Sequence, residues 1–418
     1  MAYTTLNVEK MELEFSQFFE SAHWLIYVTF PVMAALIGWG TNWLAIQMTF
    51  YPLTHKGFTP LLGWQGVIPR KSEKMASVVV DRTITRFGNM DDVFQKLEPE
   101  KITEQIITQI EPRIEEYIDE IMYERQAVLW DNLPVTIKRK VYQWAHSQIP
   151  RRIEGLVAEF GAELGSLIDI KELFVEELKE HPELMVRIFQ EVGSSEFKFI
   201  VKSGLFFGFL FGCIQIPVWL KYGEIWMLPV FGFLVGFATN WLALNVIFRP
   251  LYPRTFLGRT FQGLFLRRQN EVSDVWSRLI AEELITVERA ANAMVFGRYA
   301  ARTRAIIQKH IRPVLDQAGI LKLVAQLTVG ASGYVDLKRA LHDKAIEVSV
   351  EPFHDESFNK SRSGVVAEAM SERMKALSPP EFQDVLRPAF QEEELQLMLI
   401  GGVLGAVTGV VQWLFIFS

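Results

Sequence analysis

Four stretches of this chain, 24–54, 203–220, 225–248 and 395–418, contain no Asp, Glu, Lys or Arg. A bilayer crossing needs about 20 mainly apolar residues at 1.5 Å of rise each. Four uncharged windows in one soluble domain would be unusual, which argues against buried core helices. The first window exceeds one straight span, so its helix is expected to start near Tyr27 or Pro31 and stop before Pro52. The first 20 residues carry four Glu and one Lys, the wrong n-region for a cleaved signal peptide.

The windows divide the chain into an N-terminal tail, 1–23, and four spans, 24–50, 198–220, 225–248 and 395–418. Two long segments, 51–197 and 249–394, separate the spans in pairs, and 221–224 is a short turn. Four spans put both long segments on one side and the termini on the other. Lys56, Lys74, Arg249, Arg254 and Arg259 are among the basic residues that follow spans one and three. Basic residues close to a span favour the cytoplasmic side, so the long segments are expected in the cytoplasm. The expected location is the bacterial inner membrane.

The chain also repeats itself. Gly38-Trp-Gly-Thr-Asn-Trp-Leu-Ala45 recurs as Gly236-Phe-Ala-Thr-Asn-Trp-Leu-Ala243, an offset of 198. Pro31, Gln47, Phe50 and Pro52 find Pro229, Asn245, Phe248 and Pro250 at that offset. Gln65-Gly66 and Arg70-Lys71 find Gln262-Gly263 and Arg267-Arg268 at 197. Gly204, Gly208, Gly212 and Gln215 find Gly401, Gly405, Gly409 and Gln412. Matches spread over nearly 200 residues imply a tandem duplication of the unit span, helical segment, span. Equivalent spans run the same way, so the repeats are parallel.

The pattern G-x-x-T-N-W-L-A, then Phe-x-Pro, then a glycine-led stretch ending in paired basic residues, resembles the bacterial membrane-protein family called domain of unknown function 445. Arg249-Pro250 and Gly66-Val-Ile-Pro-Arg-Lys71 fit its blocks. Tyr51-Pro52 lacks the Arg of the first block, and Gly263-Leu-Phe-Leu-Arg-Arg268 lacks the Pro of the second. The resemblance spans the chain and implies a membrane location, but no activity.

Both long segments read as helical. Apolar residues at Ile102, Ile106, Ile107, Ile110 and Ile114 form a 3.6-residue stripe, as do Ile153, Leu156, Val157, Phe160 and Leu164. Prolines at 112, 134, 150, 182, 313 and 379–380 are expected to divide the helices. No sustained alternation indicates a strand, so the expected fold is all-α. Beyond spans one and three, aromatic and apolar residues (Phe58, Leu61, Leu62, Trp64, Val67, Ile68; Phe256, Leu257, Phe261, Leu264, Phe265) precede Arg70-Lys71 and Arg267-Arg268. These stretches suit an anionic headgroup layer or a loop packed on its own domain.

Inside the spans, Thr41, Asn42, Trp43 and Gln47 have Thr239, Asn240, Trp241 and Asn245 as counterparts, with Gln215 and Gln412 added. A buried amide must find partners, so the polar groups are expected to face the bundle interior. They are helix-to-helix glue or a polar pathway. The glycines at i, i+4 and i+8, 204/208/212 and 401/405/409, suit close helix approach.

No catalytic motif occurs, and no cofactor or metal is expected. The seven histidines are scattered, and the lone Cys213 rules out an internal disulfide. A net charge of −6 gives no global basic field for nucleic acid. Expected partners are the bilayer, anionic headgroups and an unidentified protein; self-association stays open. The chain reads first as a non-enzymatic scaffold of the envelope, and second as a lipid-handling or small-solute transport protein. Filled domain cores would favour the scaffold and an apolar groove the lipid.

Overall fold

The computed structural model describes residues 28–58, 62–83, 94–224, 226–256, 258–317, 320–391 and 394–416. Helices dominate, and four are long and apolar enough to cross a membrane: Val28–Phe50, Ser194–Tyr222, Met227–Phe248 and Glu394–Ile416. The second starts ahead of its uncharged window because Glu196, in its first turn, suits a helix N-terminus. It ends at Gly223, whose φ of 61° lies in the left-handed region that closes helices without steric cost. Along the first helix Val28, Val32, Leu36, Trp39 and Trp43 are exposed. Their spacing of three and four residues makes one apolar outward face, which a water-soluble surface rarely presents.

The expectation of a purely α fold needs one correction. Lys56–Phe58 pairs antiparallel with Leu62–Trp64, and Arg254–Phe256 with Arg259–Phe261. Strands of three residues are too short to show a period of two. Each hairpin follows a cis peptide bond, Tyr51–Pro52 or Arg249–Pro250. Each leads into a four-residue helix, Val67–Arg70 or Leu264–Arg267, whose Val67, Ile68, Phe265 and Leu266 are buried. Helices Pro182–Val192 and Pro379–Gln391 pack on these short helices. Phe265 stacks on Phe382 at 5.0 Å. Those side chains therefore serve packing; of the aromatics expected at the headgroups, Phe261 is exposed. The side chains of Phe58, Leu61, Leu62, Phe256 and Leu257 lie outside the described residues.

The chain forms two compact units. The first comprises 1–79, 181–272 and 377–418, and the second 80–180 and 273–376. The partition differs from the sequence boundaries: both long segments contribute to the second unit, and the ends of both belong with the apolar helices. In the second unit Pro150 and Pro313 lie inside the helices Val135–Leu167 and Ala300–Asp316 rather than between helices. A missing N–H is tolerated there because these helices pack on each other along an apolar face. The second unit's core includes Phe94, Ile102, Ile106, Ile153, Val157 and Phe353, so the sequence stripes do face inward.

Candidate functional site

The Thr-Asn motifs lie in the first unit. Asn42 is fully buried, and its Nδ2 donates to the Ile200 carbonyl at 2.8 Å. Asn240 Nδ2 donates to the Leu397 carbonyl at 3.0 Å. The Thr239 hydroxyl donates to Asn42 Oδ1 at 3.4 Å, while Thr41 donates to the Ile37 carbonyl of its own helix at 2.7 Å. Buried amides thus tie the first apolar helix to the second and the third to the fourth. The Thr239 hydroxyl bond links the first and third.

The other polar positions spread outward. Trp43 and Trp241 are about half exposed. Gln47 is exposed as well, against the expectation of an inward side chain. It lies three residues from its helix end, where headgroups and water satisfy an amide. Asn245 bonds back to the Trp241 carbonyl at 2.8 Å. Gln215 is buried, and the Gln412 side chain is outside the described residues. The structure therefore brings the Thr-Asn pairs together, and among the described residues the polar motif positions form no continuous file.

The glycines bring helix backbones together. A Cβ at Gly208 would stand 2.3 Å from the Ala34 carbonyl oxygen, and one at Gly405 2.0 Å from that of Gly232. Gly204 would meet Gly38, Gly212 Pro31, Gly401 Asn240 and Gly409 Leu228, all closer than carbon atoms approach.

Of the cations expected at headgroups, Arg70 and Arg267 are exposed and Lys71 half-buried. Arg268 is different. Its guanidinium meets the buried Glu196 carboxylate at 2.7 Å and Glu271 at 2.7 Å. The Glu271 hydrogen bond chiefly, with help from Glu196, raises its pKa further, so it stays charged. Its fork is occupied by protein carboxylates.

The second unit holds a feature the sequence stripes did not resolve. Its core lines a partly open apolar cavity of about 240 Å³. Ile106, Ile153, Val157 and Phe160 line it from one long segment, and Ala291 and Ile307 from the other. Protein interiors contain few voids larger than a water molecule. Polar atoms in the lining are few. Thr303 is fully buried there, and its hydroxyl has no hydrogen-bond partner among the described residues. Lys344 lies at the margin, bonded to Glu120 at 2.6 Å and Glu347 at 3.0 Å; the Glu120 bond first, then Glu347, raises its pKa. Tyr117, bonded to Glu351 at 2.9 Å, is pushed up to about 12, by burial first and then by that carboxylate. Both are therefore fixed in their protonated forms at neutral pH. The periodic stripes announced which residues face inward; they carried no signal that those faces fail to fill the space.

Among the described residues no three His, Cys, Asp or Glu side chains gather as a metal would require. The chain matches no protein-family model, no curated protein and no solved structure. The reading of function rests on the geometry above.

Proposed function

We propose that the chain is a non-enzymatic lipid-handling protein of the bacterial inner membrane, and that the second unit's cavity takes up an acyl chain. The cavity carries this reading. An empty apolar void costs about 24 cal/mol per Å³. At 240 Å³ a fully sealed void would cost at most about 6 kcal/mol, as large as the whole stability of many domains. An apolar occupant removes the cost. The volume exceeds the roughly 150 Å³ of an engineered cavity that admits benzene. An envelope scaffold, the reading the sequence favours, calls for filled cores; the cavity weighs toward lipid.

The membrane part of the proposal has four spans arranged as a tandem, parallel duplication, with both long segments cytoplasmic. Support comes from paired details: the two hairpins, and amide bonds from Asn42 and Asn240 to carbonyls 158 and 157 residues onward. The basic residues after spans one and three support the sidedness. Membership of domain of unknown function 445 belongs to the same proposal and rests on the motif blocks.

The test is mass spectrometry of lipids retained by the full chain after purification in a mild detergent. Wild type is expected to hold an acyl lipid near one per chain, and Ala291→Phe, which fills the cavity, to lose it. Equal retention by both proteins would sink the proposal.

A further inference from the structure

A second pocket lies in the first unit, at the C-terminal end of the apolar helix Met227–Phe248. It is an open depression of about 700 Å³ lined by the helix's last turns, by Arg249 and Arg254 beyond it, and by Arg387. Three arginines line one space. Arg387 is already engaged, 3.5 Å from Glu394, and its guanidinium stacks over Phe248. Arg249 and Arg254 are exposed and have no carboxylate within ion-pair distance among the described residues. Two exposed arginines at one pocket, Arg249 and Arg254, with no carboxylate of their own, favour an anion there, and the planar guanidinium fork matches a phosphate.

The surroundings say what carries that anion. Trp241 and Tyr252, about half exposed, flank the pocket. Aromatic residues of that kind mark the headgroup level of a membrane helix. Below them Val230 and Leu234 are exposed on the same helix face as Trp241, at spacings that bring the three into line. A phosphate in the pocket thus sits at the top of an apolar stripe that an acyl chain follows.

The first half lacks this arrangement. Tyr51 stands where the second half has Arg249, and its hydroxyl is hydrogen-bonded with Gln190. Lys56 replaces Arg254.

We propose that Arg249, Arg254 and Arg387 form a binding site for the headgroup phosphate of an anionic phospholipid, present in the second half of the chain only. The site rests on the membrane reading of the helix but not on the cavity.

The test titrates the purified full chain, in neutral detergent micelles, with phosphatidylglycerol or phosphatidylcholine and counts bound lipid by native mass spectrometry. Wild type is expected to prefer phosphatidylglycerol. Arg249→Gln with Arg254→Gln should weaken that binding about 30-fold, since each surface cation adds roughly a factor of five. Arg249→Lys with Arg254→Lys should restore most of it, and Lys56→Gln in the first half should leave it unchanged. Ala291→Phe should lower the lipid count by the cavity's one yet keep the preference for phosphatidylglycerol, which separates this site from the cavity. Equal wild-type affinity for both lipids would overturn the proposal, even were the Gln variant to misfold. So would a folded Gln variant with undiminished preference. Complete displacement of the lipid by millimolar inorganic phosphate would reassign the pocket to a soluble anion and overturn the lipid assignment.

Discussion

The two units spend their apolar residues in opposite ways. In the first, glycines bring helix backbones so close that no Cβ fits: at Gly208 and Gly405 the nearest atoms are carbonyl oxygens of the facing helix. In the second, helices of Ile, Leu and Phe meet through bulky side chains and leave about 240 Å³ unfilled. Small residues let helices approach until backbone contacts do the packing. Branched side chains hold helices apart, and what they do not fill stays open. Close contact therefore belongs to the unit that must be rigid among lipids, and empty volume to the unit proposed to hold one.

The contrast can be broken at three points. The largest effect is expected from bulk in the first unit. Gly405→Leu or Gly208→Leu drives a side chain into a backbone carbonyl, which a helix can relieve only by moving away. A loss of about 3 kcal/mol is expected, read as a lower unfolding midpoint in detergent; wild-type midpoints for both would remove the close-packing argument. Added bulk in the second unit should act in the opposite direction. Ala291→Phe fills the cavity and should stabilise the lipid-free protein by about 1 kcal/mol. Destabilisation by calorimetry would mean that the space is already occupied by mobile side chains.

The smallest effect concerns pH. Glu159 in the second unit accepts from Lys309 at 2.9 Å and His310 at 2.7 Å. These bonds, Lys309 first, hold its carboxyl below the ordinary 4.5. A depressed carboxylate pKa contributes stability that is fully present above the unfolded value and is lost as pH falls through the folded one. The gain, under about 1 kcal/mol for such a surface pair, should fade below about pH 4.5. Acid titration of wild type against Glu159→Gln checks this; the two stabilities should converge at low pH, and a constant gap would reject the assignment. The glycine contacts carry no titrating side chain, so they contribute no such dependence.

Much of the bundle was legible because its constraints are one-dimensional. An uncharged window must be long enough to span, and glycines every fourth residue must share a face, so Gly204, Gly208 and Gly212 could be aligned by counting. The need of Asn42 and Asn240 for partners was equally readable, from the cost of a bare amide in lipid. Which carbonyls they find was not, because Ile200 and Leu397 meet them only after folding. The hairpins escaped notice because three residues show no period. Val67 and Phe265 looked like headgroup residues because local sequence cannot separate an apolar side chain beside a bilayer from one beneath the protein's own helix. The cavity is further still from the sequence: it is a difference between volumes contributed by many helices, and no residue pattern encodes a remainder. Arg268 was counted as a lipid-facing cation because its partner Glu196 is distant in the chain.

That ion pair has a consequence for synthesis. Glu196 is almost completely buried at the start of the second apolar helix, and its counter-charge arrives 72 residues later, after the third helix. Until then the nascent chain carries a carboxylate that a dry surrounding penalises, and a buried charge stripped of its partner costs about 3–5 kcal/mol. The second helix therefore cannot settle before the third has been made. The two helices are therefore expected to settle together, their outer ends fastened to each other by the Arg268–Glu196 bond.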